Sequence, residues 1–254
     1  MLTIIQIPVL TDNYIYLIHD PLSEDTAVID PALAQPVLDV LDKKGWRLTY
    51  ILNTHHHLDH VGGNLELKEK NGCKIIAAQS DRERIPGIDI GVNEDDVISL
   101  GSHSVRIIST PGHTSGHIVY HFAEDCALFC GDTLFVMGGG RLFEGTPEQM
   151  WNSLQKLKKL PSATRIYCTH EYTQTNGRFA LSVEPDNPHL QQKMLEVQRL
   201  RAENQPTVPS TIEQESATNP FFRTDSIGIQ KTLGLEHQSP LSVFTELRKR
   251  KDSF

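Results

Sequence analysis

Long apolar runs are missing from this 254-residue chain, and no segment approaches the ~20 residues that a membrane-spanning helix needs. Net positive charge is missing too. Lys and Arg number 24 against 32 Asp and Glu, a formal charge of −8, so no overall field draws nucleic acid or an anionic membrane surface. Cysteine is scarce. Cys73, Cys126, Cys130 and Cys168 have neither CxxC spacing nor the density of a small disulfide scaffold, which reads as four free thiols in a reducing compartment. The start, MLTIIQIPVLTDNY, lacks a basic segment and is interrupted by Pro8 and Asp12, unlike a secretory signal. The expectation is a cytoplasmic monomer with no nucleic-acid or membrane partner.

What is present is an ordinary globular balance, 38% hydrophobic and 22% charged residues, enough for one large domain or two unequal ones. Short β-type runs at residues 2–9, 14–19 and 27–30, bounded by turn residues, predict an antiparallel meander. A helical period over 34–44 stops at Gly45, and the apolar run 48–52 suits a strand buried on both faces. A helix is expected over 59–70, and strands at 74–78, 97–100, 105–109, 118–122, 127–130 and 165–168. Pro147 opens a helix over 147–159 at a permitted first-turn position. Beyond Glu171 the pattern changes to helices at 190–203 and 241–251, the latter after Ser239-Pro240, with no convincing strand. These patterns place an α/β domain at 1–172 and a smaller helical domain at 173–254, and the two β-rich halves of the first suit a two-sheet sandwich.

The strongest chemical signal is Asn53-Thr54-His55-His56-His57-Leu58-Asp59-His60, directly after the apolar run Tyr50-Ile51-Leu52. In extended backbone, side chains two apart point the same way, so His55 and His57 reach one ion while His56 is directed elsewhere. Asp59 and His60, where a helix begins, address a second ion. Imidazole with one or two carboxylates suits Zn²⁺, Fe or Mn. Further candidates follow other β runs: His113 in TPGHT, Asp132 in CGDT and His170 in CTHE. A site at the loop edge of a sheet requires such convergence from distant segments.

These residues resemble the metallo-β-lactamase superfamily, whose THxHxDH signature stands here as Thr54 to His60. The resemblance implies a four-layer αβ/βα sandwich. It assigns His55, His57 and His113 to the first metal, Asp59, His60 and His170 to the second, and Asp132 to both. Zinc is the expected metal, with Fe or Mn as alternatives. It further implies that Asp132 sets the intermetal distance and that Asp59 orients a hydroxide, so no Ser or Cys nucleophile is needed. His117 is expected either to support the ligands or to serve as a strand histidine with a backbone partner, and Cys130 and Cys168 to pack beneath the site as thiols.

Three further segments, GGGRLFEGT at 138–146, THEYT at 169–173 and LRKRKD at 247–252, are similar to the hydroxyacylglutathione hydrolase (glyoxalase II) family, helical domain included. That similarity implies hydrolysis of S-(2-hydroxyacyl)glutathione thiolesters such as S-lactoylglutathione, the second step of methylglyoxal detoxification. It places Arg141, Phe143, Tyr172, Arg248 and Lys251 around the glutathione moiety. Arg141 and Phe143 depart from a pattern with Lys and Tyr. Arg keeps the charge, whereas Phe donates no hydrogen bond. Two alternatives share the fold: a glutathione-persulfide dioxygenase working with one iron, and a lactonase.

Overall fold

The computed structural model describes every residue from Met1 to Phe254. The chain divides into two compact units: Met1–Ser109 with Gly116–Gly131, and Thr110–Ser115 with Asp132–Phe254.

In the first unit, β1 (Thr3–Val9), β2 (Asn13–His19) and β3 (Thr26–Ile29) form the expected antiparallel meander, with Ile5 opposite Leu17 and Tyr16 opposite Ile29. The chain then crosses through α1 (Ala34–Lys44) to β4 (Tyr50–Leu52), and through α2 (Leu58–Val61) and α3 (Asn64–Asn71) to β5 (Lys74–Ala78). β4 and β5 join in parallel because helical crossovers return the chain in the same direction, and β6 (Ile90–Val92) joins β5 in parallel after a loop with one short 3-10 turn. Val37 and Leu41 of α1 bury against Leu17, Val28, Ile51 and Ile75 of the sheet.

A second set of strands in this unit, β7 (Val97–Leu100), β8 (His103–Ser109), β9 (Ile118–Phe122) and β10 (Ala127–Gly131), pairs antiparallel in sequence order. Its inner face meets the first sheet: the Tyr16 and Phe129 rings lie edge to face at 5.5 Å. The Tyr120 hydroxyl reaches the carbonyls of Asn53 (2.9 Å) and Ile76 (3.0 Å). This is the two-sheet packing that the β-rich halves suggested.

One expectation needs correction here. The single helix over 59–70 is two, α2 and α3, broken at Gly62-Gly63. The break passes so close to the loop after β3 that a Cβ on Gly63 would stand 2.8 Å from the Pro31 carbonyl, to which Gly63 N–H donates at 2.7 Å. Only glycine tolerates that approach.

In the second unit, β11 (Leu134–Phe135) and β12 (Gly138–Gly139) form a small hairpin. α4 (Pro147–Lys158) starts at a capping box between Thr146 and Gln149. β13 (Arg165–Cys168) is followed by α5 (Thr173–Val183) and α6 (Pro188–Ala202), then β14 (Ser210–Thr211), α7 (Ile212–Thr218), α8 (Ile227–Leu233) and α9 (Pro240–Asp252). Ser239 caps α9 by accepting from Ser242 N–H, as its position before Pro240 suggested. Phe179, Phe221 and Phe244 are fully buried among these helices. The expectation of no strand past Glu171 is corrected by β14, which pairs antiparallel with β13. Two residues carry no readable alternation.

Candidate metal centre

In the first unit, β4 ends at Leu52 and delivers residues 53–60 to the sheet edge. Asp30, one residue past β3 on the neighbouring parallel strand, receives them. Its Oδ1 accepts from Thr54 N–H (2.7 Å), and its Oδ2 from the Thr54 hydroxyl (2.7 Å). The same Oδ2 lies 3.1 Å from His60 Nδ1. Asp30 is buried and left-handed, at φ 47°, so a strained backbone aims this carboxylate inward. Asn53 braces the loop from the other side, donating to the His60 carbonyl (3.0 Å) and pairing with Asn64.

The alternation expected for the histidine run is present. His55 Nε2 and His57 Nδ1 stand 3.0 Å apart, while His56 Nδ1 faces buried Asp81 at 3.5 Å. His60 Nε2 lies 3.5 Å from Asp59 Oδ2, a carboxylate still 41% exposed. Asp30, His55 and His60 bring ligand-capable atoms within 4.8 Å of one another. Both Asp30 oxygens already hold Thr54, so its part is support for His60. His117 stacks on His55, ring centroids 4.9 Å apart. Gly131, at φ 48°, lets the end of β10 pass this pair: a Cβ there would lie 2.8 Å from His117 Nε2 and 2.4 Å from Thr54 Oγ1.

In the second unit, Asp132 stands between two imidazoles. Its Oδ2 is 3.3 Å from His113 Nε2 and its Oδ1 3.4 Å from His170 Nε2, all three residues buried. The Thr169 hydroxyl donates to Oδ1 at 2.6 Å. His113 Nδ1 lies 2.8 Å from the Arg141 carbonyl. A neutral His113 therefore carries its proton on Nδ1, and its Nε2 lone pair faces a carboxylate oxygen. A bound cation would join two acceptors at that range. The imidazole and carboxylate donors present suit a divalent ion. The Cys168 thiol is fully buried, its Sγ directed at the His170 carbonyl (3.7 Å), and burial pushes it up to about 12.

The segment 138–146 is built around His113. Arg141 O takes its Nδ1, Phe143 N–H donates to the His113 carbonyl (3.2 Å), and the Phe143 ring meets its imidazole edge-on at 5.2 Å. Arg141 and Phe143 are themselves 63% and 60% exposed. Tyr172 lies flat on His170, centroids 4.7 Å apart, with its edge partly open. Arg248 is buried and donates to the carbonyls of Gly139 (2.8 Å) and Gly140 (3.3 Å). Lys251, half-buried, sits over the Phe179 and Phe254 rings, and burial holds its ammonium below the usual value.

Asp30, Asn13 and Asp81 escaped the reading of the sequence. Asp30 left one signal, an acid ending an apolar run. Asn13 and Asp81 left none, since their partners come from distant segments.

Comparison with known proteins agrees along the whole chain. Residues 10–170 match the family described as the metallo-beta-lactamase superfamily, and residues 171–254 the one described as hydroxyacylglutathione hydrolase C-terminus. A hydroxyacylglutathione hydrolase of Methylococcus capsulatus is 55% identical over 254 residues, covering 100% of this chain and 99% of the relative. One from Maricaulis maris is 53% identical over 253 residues, with 100% and 99% covered. Among solved structures, ETHE1 from Myxococcus xanthus superposes with a TM-score of 0.67 at 21% identity, covering 99% of both chains. The BLEG-1 B3 metallo-beta-lactamase gives the same TM-score and identity, covering 87% of this chain and 99% of that one. These two bear on the fold alone.

Proposed function

We infer the reaction from one premise: the chain belongs to the metallo-β-lactamase superfamily and, through its full length, to the hydroxyacylglutathione hydrolases. It is a thiolester hydrolase of the metallo-β-lactamase fold with a C-terminal helical region. Water and an S-(2-hydroxyacyl)glutathione give a 2-hydroxy acid and glutathione, with S-lactoylglutathione and D-lactate as the representative pair. This is the second step of methylglyoxal detoxification. The full-length relatives favour this reaction over the dioxygenase and lactonase readings.

The proposed ligands are His55, His57 and His113 for one divalent ion, and Asp59, His60 and His170 for the other, with Asp132 shared. The observation that carries this is Asp132 offering one oxygen to each of two Nε2 atoms, 3.3 and 3.4 Å away. An all-nitrogen-and-oxygen donor set suits zinc first, and iron or manganese next. Two such ions, when bound, supply hydroxide at neutral pH and polarise the thiolester carbonyl. Thr169 fixes the Asp132 rotamer, and Asp30 fixes the His60 ring. Asp59, half-open to solvent, is placed to hold a proton of the attacking water. The thiolate leaves without a dedicated acid.

Arg141, Phe143, Tyr172 and Lys251 are proposed to face the glutathione moiety. Arg248, turned toward the Gly139 and Gly140 carbonyls, is proposed to shape that wall. The domain boundary is proposed near residue 172, where the two family matches meet. Four cysteines, none of them in a disulfide, suit a reducing, cytoplasmic setting, and the working form is proposed to be a monomer. Assaying purified protein with S-lactoylglutathione, a lactone and a β-lactam side by side tests the reading. Turnover confined to the thiolester is expected, and preference for either ring substrate would overturn it.

A further inference from the structure

Asn13 opens β2, at the end of the β1–β2 hairpin where Val9 and Asn13 pair. The residue is 6% exposed, and its side-chain amide reaches α2. Nδ2 lies 3.0 Å from Asp59 Oδ2 and 3.5 Å from the Asp59 main-chain carbonyl. Both partners only accept, so the amide nitrogen must be the atom turned toward them.

We propose that Asn13 is a positioning residue for Asp59, its amide presetting the carboxylate that would take the second metal ion. The proposal rests on the two-ion reading above.

Asp59 lies in the first turn of a four-residue helix and is 41% exposed, and the Asn13 amide is a buried group that holds its carboxylate. The oxygen that Asn13 holds is the one 3.5 Å from His60 Nε2, while the other ring nitrogen, Nδ1, meets Asp30. Asn13 therefore fixes the carboxylate on the side where the neighbouring ligand atom stands. The chemistry of the amide matters as well. A Lys or Arg there would neutralise the carboxylate and compete with a cation, and an Asp would repel it. A neutral donor orients Asp59 and leaves its charge for the ion. The contact to the Asp59 carbonyl ties the same amide to the backbone of α2. Both ends of the carboxylate's lever are thereby set from a strand 46 residues away.

The test is a competition titration of metal-free protein with Zn²⁺ against a chromophoric chelator. Wild type, Asn13→Ala, Asp59→Ala and the double variant are compared, with the metal-induced rise in Tm recorded beside each. Asn13→Ala should weaken one of the two binding steps by about 10–100-fold, the usual scale for a group behind a ligand, and leave the other unchanged. Added to Asp59→Ala it should weaken binding no further, because the residue acts through that carboxylate. A merely structural Asn13 would lower Tm equally with and without zinc, whereas a positioning Asn13 shrinks the rise that zinc causes. Asn13→Leu, which keeps the volume and removes the donor, is read by the same criteria where Asn13→Ala does not fold. Two unchanged dissociation constants in either folded variant, or a further loss on top of Asp59→Ala, would overturn the proposal. A wild type that takes only one ion would refute the two-ion reading itself and this inference with it. Two ions in wild type with an inert Asn13 would refute the inference alone.

Discussion

The Arg248 guanidinium is closed onto Asp252, one turn further along α9, with Nη2 2.7 Å and Nε 3.0 Å from Oδ1. Its Nη1 meanwhile donates to the Gly139 carbonyl. The arginine that the family resemblance places at the glutathione moiety thus also braces the 138–146 segment. Its neighbour Lys251 has no comparable lock, only the Phe179 and Phe254 rings beneath its ammonium.

The two cations should therefore separate by experiment. Arg248→Ala leaves a buried carbonyl without its donor, worth about 1–3 kcal/mol, and Tm should fall by roughly 2–4 °C for each of those kcal/mol. Lys251→Glu should fold normally and raise KM for S-lactoylglutathione by roughly tenfold with kcat changed much less, the signature of lost uniform binding. Added salt should weaken the wild type more than the variant. An unchanged KM in folded Lys251→Glu would contradict a role for the lysine at the glutathione moiety.

Carefully purified protein should hold two divalent ions per chain, counted by elemental analysis. Removing them with a chelator should lower Tm as well as abolish turnover, since a ligand bound only by the native state stabilises it. One tightly held iron per chain in active protein would contradict the assignment.

Asp132→Asn keeps the shape and the Thr169 contact but offers each ion a weaker partner. It should remain folded, lose metal, and lose at least about 10²-fold in activity. Normal turnover with full metal content would remove Asp132 from the centre.

A pH test concerns the helices. Burial alone would raise the Glu184 carboxyl, but hydrogen bonds from Arg223, Ser226 and Asn187 outweigh it and hold the group below its ordinary value of 4.5. Arg223 grips it with two bonds, of 2.7 and 2.9 Å. A depressed acid contributes stability above its unfolded value and loses it as pH falls through the folded one. The Tm gap between wild type and Glu184→Gln should be full near neutrality and close progressively below about pH 4.5. A gap independent of pH would show that the ionised pair does not supply it.

Much of the fold was legible because its signals are local. The apolar run before Asn53 marks a buried strand, and β5, β7, β9 and β13 fall where alternation or continuous apolarity ends them. Gly62-Gly63 misled the helix reading, because glycine is tolerated within a helical period and its cause here, the Pro31 carbonyl, lies some thirty residues back. β14 was missed for want of length.

The site divides in the same way. The sequence by itself determined the ligand types, the His55 and His57 pairing and the divergence of His56, since the two-residue period of extended chain acts over a few bonds. Only the tertiary structure decided what stands behind those candidate ligands, Asp30 on His60, Asn13 on Asp59 and Thr169 on Asp132, and that Arg248 closes on Asp252. Most of these are contacts between residues tens of positions apart. A hydrogen bond depends on tenths of an ångström, and the chain reaches that accuracy only after its sheets, hairpins and helices have packed.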